Sequence, residues 1–283
     1  MNVLITFSKT ILPALLPFLI LNQMIIKLGI IDIIAYFIQF ISYPLFKISG
    51  KGASIIIIGL LNGFPSSAIF TSLMLKEKQI NKHEAQRLIN SVFFPSISFL
   101  FVIINNNLDN HTYFIYLILS IYLGGFISLY ISSFKIKQEN TYISFNQTLV
   151  DIKGKLNKFI LIKDLKETII YSFNTLTNIL GIIILFSIPC NIIDALIPNN
   201  STYFFEGLIE FSMPSITLTK LPFKKEITTM FLGTILSFSG LSSIMQASLF
   251  INDANLNTKQ FIINRILVTS LTTFILSLFL FFL

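Results

Sequence analysis

Two interruptions in long apolar segments contain the residues best suited to bind a ligand. The first is Gly63-Phe64-Pro65-Ser66-Ser67, and the second is Ser237-Phe238-Ser239-Gly240-Leu241-Ser242-Ser243. Proline removes a backbone N–H and glycine relaxes the backbone, so each segment is predicted to unwind there. Lipid cannot satisfy the freed N–H and C=O groups, whereas a bound polar molecule or ion can. The alternative is a packing kink, because glycine and proline are common in membrane helices.

The two arginines of the chain follow these interruptions at nearly equal distances. Arg87 lies 24 residues after Gly63, and Arg265 lies 25 residues after Gly240. Broken hydrophobic helices at corresponding places in two halves of a chain indicate a binding site near the middle of the membrane. The arginines are interpreted either as structural charges that pair with polar groups at the breaks or as lipid-facing charges that reach the headgroups.

Two glutamates add an ionisable pair. Glu206 and Glu210 are four residues apart, so they share one face of a helix. Ionisable residues inside a membrane segment usually face the protein interior and mark a substrate or proton pathway. Glu210 is expected to lie deeper in the membrane, and Glu206 near the outer surface. The candidate substrate-binding residues are Gly63, Pro65, Ser66, Ser67, Glu210, Ser237, Gly240, Ser242, Ser243 and Gln246.

The sequence contains no recognisable catalytic or metal-binding motif. His83-Glu84-Ala85-Gln86-Arg87 approaches a zinc-binding helix motif, but arginine stands where the second histidine would be. There is no phosphate-binding loop, dinucleotide fingerprint or nucleophile elbow. We therefore expect no enzyme activity, no metal and no cofactor. Cys190 is the single cysteine, which excludes a disulfide within the chain.

The composition is that of a membrane protein. Hydrophobic residues make up 54% of the chain, and only 12% of the residues are charged, against roughly 25% in soluble domains. The mean hydropathy is +0.79. The net charge of +7 comes from lysines in short loops rather than from a basic tract with interleaved aromatic residues. Nucleic acid is therefore not an expected partner, whereas membrane lipids are.

Eight apolar segments approach the length of about 20 residues that crosses a membrane, and a further apolar segment at 31–46 is predicted to be an interfacial or half-buried helix. The sequence thus predicts an all-α polytopic membrane protein with about eight transmembrane helices in two related halves. Each half contains a broken helix that either spans or re-enters. The eight segments are 11–28, 52–75, 88–104, 113–134, 169–188, 203–218, 227–251 and 261–283.

The charge pattern predicts the domain order and the orientation. A first membrane half at 1–134, broken at 63–67, precedes a basic cytoplasmic loop at 135–167 with seven lysines. A second membrane half at 168–283 is broken at 239–243. Loops 105–111 and 191–202 lack lysine and arginine and are predicted to be outside, whereas 76–87 and 220–225 are predicted to be inside. Both termini would then be cytoplasmic, and the two broken helices would run in opposite directions.

A set of short motifs runs in order along most of the chain. The motifs are Leu12-Pro13, Pro17-Phe18, Pro44-Leu45-Phe46, Gly50, Gly59, Gly63-Phe64-Pro65-Ser66, Glu84-Ala85-Gln86-Arg87-Leu88, Glu210-Phe211-Ser212, Ser237-Phe238-Ser239-Gly240-Leu241-Ser242 and Gln246. This ordered set resembles membrane proteins with the nucleoside-recognition, or Gate, domain, and among them the sporulation integral membrane proteins of YlbJ type. The resemblance implies a multi-pass protein of the bacterial cytoplasmic membrane that takes part in sporulation, with nucleosides suggested by the family label alone.

Two functions follow as hypotheses. In the first, the chain transports or binds a small polar solute, and the breaks and Glu210 are essential. In the alternative, it is a non-transporting membrane scaffold that recruits partners through the basic 135–167 loop. The sequence leaves the identity of the solute, the coupling ion and the oligomeric state open, and a homo-oligomer is compatible with it.

Overall fold

The computed structural model of the chain describes residues 8, 12–97, 99–101, 111–134, 136, 142–196 and 202–282. Within these ranges the regular structure is helical and contains no strand. The helices are α1 (Leu12–Lys27), α2 (Ile30–Phe46), α3 (Gly50–Asn62), α4 (Ser66–Lys76), α5 (Lys82–Ser91), α6 (His111–Ser133), α7 (Phe145–Lys158), α8 (Leu161–Leu196), α9 (Thr202–Ile209), α10 (Ser212–Leu218), α11 (Lys225–Phe238), α12 (Gly240–Asp253) and α13 (Thr258–Phe281).

Four stretches of the described chain are long and apolar enough to cross a membrane. They are His111–Ser133, Leu161–Ile193, Lys225–Asp253 and Thr258–Phe281. The end of α1 and α2 would add a fifth if they were counted together, but they are bent by 84°. The predicted eight crossings therefore stay unconfirmed, because several of the predicted segments are divided into helices of 7 to 13 residues.

Polar contacts identify the two ends of the helix bundle. At the Lys51 end, the Lys51 ammonium lies 3.0 Å from the Asp32 carboxylate and donates a 2.9 Å hydrogen bond to Gln79. At the opposite, Tyr113 end, the Tyr113 hydroxyl donates a 2.6 Å hydrogen bond to Glu226. Each end therefore brings together helix termini that are distant in sequence.

Helices α3 and α4 form a hairpin that starts and finishes at the Lys51 end. Lys51 lies in the first turn of α3, and its partner Gln79 follows the last turn of α4. The tip of the hairpin is at 63–65, where Gly63 has φ 70° and the Phe64–Pro65 peptide bond is cis. The segment 52–75, predicted as a broken helix that either spans or re-enters, is thus a helical hairpin.

Helices α9 and α10 form a second hairpin, which is tied to the Tyr113 end. Helix α10 ends at Leu218, shortly before α11 begins beside Tyr113. The tip at Glu210-Phe211 lies deep, because a Cβ on Gly240 would be 3.0 Å from the Phe211 nitrogen. Gly240 is about four turns into the span that starts at Lys225. The predicted crossing 203–218 is therefore also a hairpin.

The helices that follow each hairpin run between the two ends and are broken midway. Helix α5 stops at Ser91, residues 92–96 are not helical, and helix resumes at 97. The predicted crossing 88–104 is thus interrupted. Helices α11 and α12 meet at Ser239, which has φ 79°, and α12 ends where Asp253 forms an ion pair with Lys76. Helix α13 then returns antiparallel to α6, as Gly124 packs on Thr272 and Tyr116 on Phe279.

The two ends of the bundle group the basic segments differently from the charge pattern. Loop 219–224 lies at the Tyr113 end, whereas α7 contacts the Lys51 end through the 2.6 Å Lys155–Asp32 ion pair. The described helices therefore do not match the prediction that 220–225 and the 135–167 loop share a side. The reason is the α9–α10 hairpin, which returns to the Tyr113 end instead of crossing the bundle. The sidedness of the termini stays a prediction.

Two further segments can be compared with the sequence analysis. Helix α2 buries Asp32, Gln39 and Ser42 and exposes Phe37 and Ile41, which fits the interfacial helix predicted at 31–46. The segment 135–167, predicted as a basic loop, contains α7, which contacts α2 through the Lys155–Asp32 ion pair. Of the predicted outer loops, residues 105–110 and 197–201 lie outside the described residues, whereas 191–196 belong to α8.

Cysteine labelling tests this topology. In a Cys190→Ser background, we expect a membrane-impermeant thiol reagent to label Pro222→Cys from the same side as His111→Cys, because both flank the Tyr113 end. Gly154→Cys, in open space on α7, should be labelled only from the opposite side. Labelling of positions 222 and 154 from one side would contradict the hairpin at α9–α10.

Candidate ligand-binding centre

Four helix breaks meet at one place inside the bundle. The Phe64 N–H, at the first hairpin tip, donates a 2.9 Å hydrogen bond to the Phe94 carbonyl in the 92–96 break. The centroid of the Phe64 ring also lies 5.1 Å from that of Phe93 and 4.6 Å from that of Phe211. Phe211 belongs to the second hairpin tip. The fourth break, at Ser239-Gly240, lies against Phe211. We call this meeting point the break centre.

Gly63 and Gly240 allow the breaks to approach each other. Both have φ 70°, in the left-handed region that side chains disfavour. A Cβ on Gly63 would collide with the backbone nitrogen of Ser96, and a Cβ on Gly240 would lie 3.0 Å from that of Phe211. Gly63 thus joins the first hairpin to the α5 break, and Gly240 joins the α11–α12 break to the second hairpin.

Buried serine hydroxyls line the starts of two helices that begin at the break centre. Ser66 and Ser67 lie in the first turn of α4, and Ser242 and Ser243 in the first turn of α12; each is at most 1% exposed. None of the four hydroxyls has a hydrogen-bond partner within the described residues. A buried polar group without a partner costs about 1–3 kcal/mol. Such a cluster is expected where a water or a polar ligand binds.

The remaining candidates near the breaks have different surroundings. Pro65 is the residue before α4. The Ser237 hydroxyl donates a 2.6 Å hydrogen bond to the Gly233 carbonyl of its own helix, so it is already satisfied. Gln246 is buried in α12, beyond the serines. Ser237 is therefore the weakest of the predicted ligand-binding residues.

The two glutamates lie in different surroundings. Glu206 is 3% exposed and is therefore buried among the helices. Glu210 lies at the hairpin tip and is half-buried. Their depths in the membrane stay predictions. The Glu210 carboxylate accepts hydrogen bonds from the Ser212 hydroxyl at 2.7 Å and from the Ser212 and Met213 N–H groups at 3.1 and 3.3 Å. Glu210 therefore caps α10.

Arg265 is fully buried and supports the α5 break. Its two terminal nitrogens donate to the carbonyls of Phe93, at 2.8 Å, and Asn90, at 2.5 Å. The guanidinium also lies over the Phe93 and Phe261 rings, at 5.5 and 5.6 Å. The carbonyls at a helix C-terminus carry a negative partial charge, which a guanidinium stabilises. Arg265 is thus structural and does not face lipid.

Arg87 supports a helix end at the Lys51 end in the same way. It donates to the carbonyls of Phe46, at 2.5 Å, and Lys47, at 3.0 Å, and to the Ser132 hydroxyl at 2.9 Å. These carbonyls end α2, so Arg87 fastens α2 to α5 and α6. It is 8% exposed and therefore also does not face lipid.

Sequence reasoning missed half of the break centre. The 92–96 break and the 210–211 tip were not recognised, and neither was Ser215, whose hydroxyl is also buried without a partner among the described residues. Pro95 inside an apolar segment was the available signal for the first. The described residues contain no group of three or more His, Cys, Asp or Glu side chains that could hold a metal ion.

Arg265→Gln tests the structural role of this arginine. We expect a lower thermal unfolding temperature in detergent, because charge-assisted hydrogen bonds to two buried carbonyls contribute about 1.5–3 kcal/mol each. Lys259→Gln, an exposed cation on the same helix, is the matched control and should unfold like the wild type. Equal unfolding temperatures for Arg265→Gln and the wild type would contradict this role.

Comparison with known proteins finds one informative relative. The chain is 26% identical to the "Sporulation integral membrane protein YlbJ" of Bacillus subtilis (strain 168), in an alignment of 92% of this chain and 71% of that protein. No family model matches the chain, and no solved structure does. The long apolar helices described above agree with the integral membrane character that the relative's name gives to that protein.

Proposed function

We propose that this chain is a sporulation-associated integral membrane protein that binds a small polar solute at the break centre and moves it across the membrane. The observation that carries the proposal is the meeting of four helix breaks with unbonded serine hydroxyls in the bundle interior. Irregular backbone at membrane depth is tolerated where it lines a cavity or contacts a ligand. The role in sporulation rests on the similarity to the Bacillus subtilis protein.

We infer that the two halves form an inverted repeat, in a different register from the one that the arginines suggest. Each half has a hairpin, then a broken helix, then a long unbroken helix: α3–α4, α5 and α6 in the first, and α9–α10, α11–α12 and α13 in the second. The hairpins enter from opposite ends, and α6 and α13 are antiparallel. Gly63 then corresponds to the second hairpin tip rather than to Gly240. Transporters of this type alternate access by rocking one repeat around a central site.

The helix directions favour a solute with an anionic or acceptor-rich group. Helices α4 and α12 both start at the break centre and run to the Lys51 end, where Lys76 pairs with Asp253. Their N-termini therefore lie side by side, and each carries a positive partial charge. The hydroxyls of Ser66, Ser67, Ser242 and Ser243 add donors at the same place.

The Lys51 end is proposed to face the cytoplasm. It carries Lys27, Lys51, Lys76 and the lysines of α7, in excess of the three lysines of 220–225 at the Tyr113 end. Cytoplasmic loops of membrane proteins carry such an excess of positive charge. The alternative scaffold function would place the essential residues in α7 instead of the breaks.

Single methyl groups added at the break centre test the transport proposal. Gly63→Ala and Gly240→Ala should abolish function while the protein still inserts, because each Cβ would force two breaks apart. Gly181→Ala, where a Cβ meets nothing within 4 Å, is the matched control and should retain function. Heat resistance of spores from a strain that depends on each variant is the readout. Full resistance with both break variants would reject a functional centre there.

A double lysine variant of α7 tests the scaffold alternative. Lys153→Gln combined with Lys158→Gln removes two exposed charges from α7 without touching the Lys155–Asp32 pair. Transport through the break centre predicts normal spore resistance for this double variant. Loss of resistance here, with activity retained in the Gly63 and Gly240 variants, would favour the scaffold.

A further inference from the structure

A cavity with mostly polar lining residues lies at the Lys51 end, away from the break centre. It has a volume of about 540 Å³ and is formed between the first turns of α5 and α13 and the turn that precedes α13. Binding pockets for small molecules have about 300–1,000 Å³. The lining residues are Lys82, His83, Gln86, Arg87, Asn255, Leu256, Asn257 and Gln260.

The lining is rich in donors and contains no acidic side chain. Lys82 supplies an ammonium, Arg87 a guanidinium and His83 an imidazole, and the other polar lining residues are amides. The nearby carboxylates point elsewhere. Glu84 accepts a 2.5 Å hydrogen bond from the Ser49 N–H in front of α3, and burial raises the pKa of its carboxyl. Asp253 is paired with Lys76.

This cavity, which we call the basal cavity, sits at the junction of the two halves. Gln86 of α5 donates to the Asn257 carbonyl at 3.1 Å and accepts from the Asn257 N–H at 2.6 Å. Further along the same two helices, Arg265 of α13 binds the Asn90 and Phe93 carbonyls at and just after the end of α5. A ligand in the basal cavity would therefore contact the two helices that Arg265 joins.

We propose that the basal cavity binds a phosphate-bearing anion, held by Lys82 and His83 of α5 and by the amides of Asn257 and Gln260 on the α13 side. Phosphate oxygens accept several hydrogen bonds at once, and ammonium and amide N–H groups donate them. Arg87 contributes positive charge at the edge of the cavity while it stays bound to the α2 carbonyls. The site is separate from the solute site and does not depend on the transport proposal.

The anion could come from solution or from a lipid headgroup, and two arms of one experiment separate the sources. In the first, the protein in nanodiscs of phosphatidylcholine alone is titrated with inorganic phosphate and pyrophosphate by calorimetry. In the second, nanodiscs that contain phosphatidylglycerol, without free phosphate, are compared with the first set by hydrogen exchange at residues 82–87 and 255–260. Binding in the first arm indicates a soluble anion, and protection only in the second indicates a headgroup.

Matched lysine variants make the result specific to the cavity. Lys82→Gln should weaken binding about tenfold, the loss expected for one charge-assisted hydrogen bond. Lys259→Gln removes the same charge from the first turn of α13 but lies outside the lining, so it should change affinity less than about twofold. Absence of both binding and protection, or equal weakening by the two variants, would overturn the proposal.

Discussion

The structure depends on satisfying broken backbone inside the helix bundle, because lipid offers no hydrogen bonds to it. A continuous membrane helix pairs its own N–H and C=O groups, and each break releases several of them. Here the breaks satisfy one another, as the Phe64 N–H binds the Phe94 carbonyl. The two glycines permit this contact because they have no Cβ. This hydrogen bond, the Phe64–Phe211 ring contact and the approach of Gly240 to Phe211 connect the four breaks to one another.

The two arginines satisfy further carbonyl groups at helix ends through their side chains. Guanidinium groups bind four backbone carbonyls. Arg87 binds those of Phe46 and Lys47 at the end of α2. Arg265 binds that of Asn90 at the end of α5 and that of Phe93 in the adjoining break. A guanidinium suits this role because it presents several donors in a fixed plane and remains charged when buried. Aromatic rings cover the face of Arg265 and keep it from lipid. With only two arginines in the chain, both are committed to helix ends.

The sequence was sufficient to predict a helical membrane protein, the unwinding at Gly63 and Gly240, and a helix at 31–46 that does not continue a span. Composition and the placement of glycine and proline carry that information. The sequence left open whether 52–75 crosses or turns back, and it did not predict that 203–218 turns back. An apolar segment has the same hydropathy whether it crosses or returns, and the difference is decided by contacts such as Lys51 to Gln79. The partners of Arg87 and Arg265 are backbone carbonyls. Because every residue carries one, the sequence does not show which of them the arginines bind.

The contact between Arg265 and the α5 break has a consequence for biosynthesis. The Phe93 carbonyl and its guanidinium partner are 172 residues apart in the chain, so most of the protein is synthesised and inserted before that carbonyl can be satisfied. Until α13 arrives, the first half holds an unsatisfied break that pure lipid would not accommodate. The nascent first half must therefore stay beside water or the insertion machinery, and the last helix acts as the closing element of the membrane fold.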